Sequence, residues 1–210
     1  MNKEEQLRIV LVTFVISIFC IAILELIHVQ ILSLNWIKSA FSISTILTVW
    51  WFFYFNYGWK WPLLRLILRR ENINGTWFGT YESKNLNNTK IYKGEISLVI
   101  KQNYLNIDIT SLTERYTSYS YSEVLTHKKK SEKNELVYVY SQKELSPSDH
   151  NIRKGTSELE LTISKEKSTL YGKFWTNSGT VGHLEVKKIG SNCIEFFEDA
   201  KRKASEGESK

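Results

Sequence analysis

Residues 39–59 read SAFSISTILTVWWFFYFNYGW, 21 positions without a charge. At about 1.5 Å per residue such a helix is roughly 30 Å long, the thickness of a bilayer hydrocarbon core. A second apolar run, IVLVTFVISIFCIAIL at 9–24, lies just before it. Two such runs in close succession predict a membrane hairpin over residues 1–62. The helices are expected near 7–28 and 39–59, and a non-membrane domain follows.

The flanks orient this hairpin. Trp50, Trp51, Tyr54, Tyr57, Trp59 and Trp61 crowd the end of the second run, and Lys60, Arg65, Arg69 and Arg70 come directly after. Aromatic rings settle at headgroup level and basic residues mark the cytoplasmic side. The connection offers only Lys38, so both termini are expected in the cytoplasm. A cleaved signal peptide is the competing reading of the first run. It fits poorly, because the start is of mixed charge (Lys3, Glu4, Glu5, Arg8) and no small-x-small site follows Leu24. Thr13, Ser17 and Cys20 form one small-residue stripe, which suits helix packing or oligomerisation. Glu25, one turn from His28, either joins that interface or sits among headgroups. After Pro62, residues 63–73 read as a basic amphipathic linker on anionic lipid, or as a plain connection.

From Asn74 the hydrophobic period changes from helix-like to two. Strands are expected at 75–82, 91–102, 104–111, 116–126, 135–143, 157–164, 169–177 and 180–189, each rich in β-branched or aromatic residues. Short polar connections favour antiparallel neighbours, and eight strands close a barrel able to hold one small ligand. The fold class is therefore two N-terminal transmembrane helices followed by an eight-stranded, up-and-down, lipocalin-like barrel over 74–190. Alternation places Ile96, Leu98 and Ile100 inside, with Leu105, Ile107, Ile109, Leu159, Leu161 and Ile163. The fourth strand, with Tyr116, Ser118, Ser120 and Ser122 on one side and Thr117, Tyr119, Tyr121 and Glu123 on the other, has no aliphatic face. It suggests a polar cavity near strands four and five, or else hydroxyl-rich outer faces. The tail, 191–210, is expected to hold a short helix and then disorder.

Charge excludes some partners. Residues 1–70 carry 7 basic and 3 acidic side chains, 71–190 carry 17 and 14, and 191–210 carry 4 and 5. The barrel region is nearly balanced, unlike a surface for DNA or RNA polymers. Cys20 and Cys193 are too far apart in context to suggest a disulfide framework. No phosphate loop, nucleophile elbow or His-Glu-x-x-His motif occurs, and His127, His150 and His183 have no cysteine partners at zinc spacing. The chain thus reads as a protein without catalytic residues, metal or cofactor. What the barrel offers is ring planes and cations: Trp77, Tyr81, Arg115, Tyr138, Tyr140, Arg153, Lys173 and Trp175. Bases stack on aromatic faces and guanidinium groups bind phosphates. The other reading of Trp77 and Trp175 is core filling, and of Arg115 and Arg153 ordinary surface charge.

Membrane helices, a basic juxtamembrane segment and then Asn74-Gly75-Thr76-Trp77-Phe78-Gly79 at the head of a barrel resemble the two-transmembrane β-barrel effectors of bacterial CBASS anti-phage systems. These are CD-NTase-associated, cyclic-nucleotide-gated proteins. The Gly-x-Trp-x-Gly start is shared with lipocalin-like barrels, and the order of parts carries the resemblance. It implies that the barrel binds a cyclic dinucleotide second messenger, that bound chains form homo-oligomers, and that the hairpins disrupt the inner membrane and kill the infected cell. The alternative from the residues alone is a membrane-anchored, lipocalin-like binder of a lipid or other apolar ligand. A membrane enzyme and a passive scaffold are further readings.

Overall fold

The computed structural model describes residues 3–26, 36–61, 70–86, 90–128, 133–144, 153–164 and 168–208. The chain divides into two compact units. One is Met1–Asn72 with Asn103–Leu105, and the other is Ile73–Gln102 with Asn106–Lys210.

The first unit holds helices α1 (Lys3–Leu26) and α2 (Trp36–Asn56), then a 3-10 turn at Gly58–Lys60. Both helices begin three or four residues ahead of the expected positions and end two or three residues early. Among the described residues only α1, over Gln6–Ile23, is long and apolar enough to cross a bilayer. Its Leu7, Val10, Phe14, Val15 and Phe19 are exposed. The two-span hairpin is thus supported for one span. α2 includes Lys38 and five Ser or Thr residues, which lower its apolarity. The indole of Trp51 donates to Thr13 Oγ1 at 3.1 Å, and the Thr13 and Ser17 hydroxyls donate to the carbonyls of Ile9 and Thr13. Thr13 therefore works as a contact between the two helices. The side chains of Cys20 and Glu25, His28 and the linker 62–69 lie outside the described residues. Tyr54, Trp59 and Tyr104 form a buried aromatic cluster, with Tyr104 stacked on Phe55 at 5.4 Å between centroids.

The second unit contains strands β1 (Gly75–Asn85), β2 (Ile91–Gln102), β3 (Ile107–Leu112), β4 (Tyr116–Lys128), β5 (Lys133–Glu144), β6 (Arg153–Ile163), β7 (Ser168–Thr176) and β8 (Thr180–Gly190). They form a closed antiparallel barrel in sequence order, with β8 returning to β1. Two expectations need correction. The third strand starts at Ile107, not 104, so Leu105 is outside the barrel wall and exposed. Ile163 ends β6 and is exposed too, because the interior alternation stops at Leu161.

The inward residues change character along the barrel. At the end where β1 starts, the interior is packed with Trp77, Leu98, Ile100, Ile109, Leu136, Leu159, Leu161, Leu170, Leu184 and Val186. These are nearly or fully buried. Toward the other end the same inward positions become aromatic and polar: Leu136, Tyr138, Tyr140, Gln142 along β5, and Leu161, Leu159, Ser157, Gly155, Arg153 back along β6. Aliphatic side chains at close-packed density exclude water, whereas hydroxyls, amides and guanidiniums keep it. One half of the barrel is a plug and the other a cup.

After β8 the chain forms one further helix. Helix α3 (Phe197–Glu208) lies against the outer wall, with Phe197 buried beside Phe78, Val99 and Leu112. Val99 and Leu112 point outward from their strands and need a cover, and α3 supplies it. The charged composition of the tail reflects the solvent side of that helix.

Candidate ligand-binding site

The cup is a cavity of about 800 Å³, within the range of small-molecule sites. All eight strands contribute to its wall. Tyr81, Ser83 and Asn85 come from β1, Tyr92 and Ile96 from β2, Ser111 from β3, Tyr116 and Ser118 from β4, and Tyr138, Tyr140 and Gln142 from β5. Arg153 and Ser157 come from β6, Phe174 and Thr176 from β7, and Thr180 and Leu184 from β8. Thr113, Glu114 and Arg115 reach it from the β3–β4 turn.

Three cross-strand pairs of ring and glycine make the room. Tyr81 stands opposite Gly94, Tyr140 opposite Gly155 and Phe174 opposite Gly182. A Cβ added to these glycines would come within 2.8, 2.5 and 2.6 Å of the facing ring. Each ring therefore lies over a neighbouring strand where a side chain is missing. Rings that would otherwise fill the lumen line its wall instead. Tyr81 and Phe174 meet edge to face at 6.4 Å, and Tyr138 and Tyr140 are 5.8 Å apart.

The polar atoms are arranged by depth. Tyr138, at the floor, is buried, and its hydroxyl is bonded to Ser157 and Ser111. Burial pushes its pKa up, against the pull of those hydrogen bonds. Burial also raises Tyr140, with Tyr138 adding to the effect. Tyr81 is raised by burial first, and Arg115 pulls in the opposite direction, which brings a guanidinium into the field of that phenol. All three phenols are neutral donors at neutral pH. At the rim Arg153 lies over the ring of Tyr116, 5.3 Å from its centroid. Stacking of that kind holds the planar fork in place while its N–H groups keep their direction.

Charge at the cup is mildly positive. Its lining includes Lys93, Arg115 and Arg153 against Glu95 and Glu114. Lys93 pairs with Glu82, and Glu95 with Lys201 of α3 at 2.6 Å. With those pairs set aside, the cup presents two guanidiniums and one carboxylate, a net charge of about +1, beside its aromatic rings.

Of the eight residues expected to bind ligand, five line the cup: Tyr81, Arg115, Tyr138, Tyr140 and Arg153. Trp77 does not. It is fully buried in the plug, where its indole N–H donates to the Ile73 carbonyl at 2.9 Å. Lys173 and Trp175 also fall outside the cup. On β7 they share parity with exposed Tyr171 and face outward, while Leu170 and Phe174 face in. They border a separate outer depression with His183, Glu82 and Lys84. The residues expected to bind ligand do not include Phe174 or Gln142, and the sequence pattern gives Tyr116 and Ser118 only as one polar face of the fourth strand beside a suggested cavity. Face parity counted from the glycine-bearing strands would have found Phe174, since Gly172 and Phe174 share the inward side. Among the described residues no cluster of three metal-ligating side chains occurs.

Comparison with known proteins agrees with this picture. Residues 69–188 match the family described as Cap15, cyclic dinucleotide receptor domain. The chain is similar to a protein of Staphylococcus schleiferi named CD-NTase-associated protein 15, with 28% identity over 160 residues, covering 73% of this chain and 79% of the relative. It is equally similar to a protein of the same name from Escherichia albertii, 28% identical over 163 residues, covering 72% and 81%. The match runs from just ahead of β1 into β8 and takes in every strand that lines the cup: this chain belongs to the Cap15 cyclic dinucleotide receptor family.

Proposed function

We propose that this protein is a membrane-bound CBASS effector whose cup binds a cyclic dinucleotide, and that binding drives self-association and disruption of the inner membrane. The observation that carries the reading is the cup itself: two guanidiniums at the rim, phenol and phenyl faces on the wall, and neutral hydroxyls and an amide between them. A cyclic dinucleotide has two singly charged phosphodiesters and two bases. Arg115 and Arg153 bind the phosphates by charge-assisted hydrogen bonds. Tyr81, Tyr116, Tyr140 and Phe174 offer stacking faces, at about 1–3 kcal/mol per base. Gln142, Ser118 and Thr176 meet base edges. A fatty acyl chain would leave these polar groups buried without partners.

Coupling to the membrane follows from population shift. Ligand changes assembly only in so far as it binds the assembled form more tightly. In this reading α1 and α2 both span the bilayer, with the termini in the cytoplasm, and assembly clusters the spans until the bilayer fails and the cell dies. Calorimetry of the full chain in detergent against cyclic dinucleotides, with fatty acids as the contrast, tests the binding. Dye release from liposomes with and without the bound dinucleotide tests the outcome. Fatty-acid binding with no dinucleotide binding refutes the first part, and leakage without any ligand refutes the gating.

A further inference from the structure

The barrel is closed by unequal seams. β4 pairs with β5 through twelve residue pairs but with β3 through only three, Thr110–Leu112 against Thr117–Tyr119. At the next position the ladder is replaced by a side chain: the Ile109 amide donates to Ser120 Oγ at 2.8 Å. A bulge between Ser120 and Ser122 then turns β4 away. From Ser122 to Lys128 the strand runs on, paired to β5 on one side and to no described strand on the other. Bulges bend a strand out of its ladder in this way. A closed barrel normally has no edge, and an open edge is a template for another strand.

We infer that the β4 edge from Ser122 to Lys128 is a docking surface for the same edge of a second copy, paired antiparallel about Leu125. The choice of occupant comes from the side chains. Antiparallel pairing centred on Leu125 sets Glu123 opposite His127 twice, by the two-fold axis, with Ser122 opposite Lys128 and Val124 opposite Thr126. No like charges meet. Parallel in-register pairing would set Glu123 beside Glu123 and Lys128 beside Lys128, which is destabilising. Isologous pairing of this kind closes on itself. The side chains beside the edge are apolar and uncovered: Tyr119, Tyr121 and Val124 are 53%, 57% and 55% exposed. Val137, the cross-strand partner of Val124, continues that strip on β5. The dimer joins two barrels into one sheet across the edge and covers the strip near Val124.

This surface rests on the self-association proposed above, so the test separates the two. Full-length protein in detergent is followed by light scattering as its concentration rises, with and without cyclic di-AMP and cyclic di-GMP as probes. Hydrogen exchange is measured on the same samples. The expected result is that the amides of 122–128 gain protection when the mass doubles. Glu123→Lys should weaken association about tenfold, the scale of the lost cross-strand pairs, and Glu123→Lys with His127→Glu should restore it. Unchanged thermal unfolding in both variants shows that the barrel is intact. Association with 122–128 unprotected, or a double variant that stays weak, overturns the edge while self-association stands. A chain that remains monomeric under every condition overturns both.

Discussion

Tyr140 of β5 lies across Gly155 of β6, so closely that a Cβ on Gly155 would stand 2.5 Å from the phenol ring. The same relation holds between Tyr81 and Gly94 at 2.8 Å. The size of the cup is therefore set by what the glycines lack. Adding one methyl forces the ring inward. Gly94→Ala should cost only about 1–3 kcal/mol of stability, since all three of its nearest atoms belong to the Tyr81 side chain. Gly155→Ala should cost more, because the carbonyl oxygen of Trp175 also lies 2.8 Å from the added carbon and backbone cannot swing aside. Both should bind cyclic dinucleotide more weakly. Calorimetry and urea titration of the two variants check the order.

In the proposed reading Arg115 and Arg153 hold the phosphates. Removing either should reduce dinucleotide affinity about 10- to 100-fold, the scale of a hydrogen bond to a charged group. Arg153→Lys should recover little of it, because the stack on Tyr116 and the forked donors are both lost. Affinity of the wild-type protein should also fall with added salt. A binding isotherm at two ionic strengths, repeated on each variant, measures these effects. An unchanged isotherm for both alanine variants would sink the phosphate assignment.

Buried phenols give the barrel an alkaline limit. Tyr138 and Tyr140 have pKa values raised above the ordinary 10.0 by burial. The unfolded chain then loses these protons at a lower pH than the folded barrel. The stabilisation is complete below about pH 10 and is lost as pH rises from there through the folded values. Tyr138→Phe removes one of these groups and the hydroxyl bonded to Ser157 and Ser111. It should be less stable than wild type at pH 8, and the gap should narrow by pH 11. Urea midpoints at the two pH values decide it.

The barrel was legible because its strands alternate and its connections are short. The cup's contents were legible in part, for a physical reason. Period-two patterning assigns a face only when the strand's own phase is fixed, and a bulge or a glycine resets that phase. Tyr138 and Tyr140 share parity with Leu136, so their inward direction could be read. Lys173 and Trp175 sit next to inward Gly172 and Phe174, and chemistry alone could not tell which set faced the lumen. Trp77 points inward but into the plug, and depth along the axis is not encoded in alternation. Which half of a barrel is plugged depends on how eight strands align, and that register is a long-range property. The open edge of β4 was hidden for the same reason, since it depends on the shortness of β3.

Helix α3 belongs to the barrel wall despite its composition. Its residues are mostly charged, yet Phe197 and Ala200 are buried, and Phe197 meets Phe78 at 5.9 Å between ring centroids. One aromatic anchor is enough to dock a polar helix when the wall beneath it exposes Val99 and Leu112. Phe197→Ala should therefore destabilise the barrel by about 3–5 kcal/mol, the cost of emptying a buried aromatic site. Lys201→Ala, which removes only the surface pair with Glu95, should leave the melting temperature where it was. If α3 were an appendage, both substitutions would be silent in a thermal melt. If it is part of the wall, the first lowers the midpoint by many degrees and exposes the outer faces of β2 and β3 to hydrogen exchange, while the second does neither.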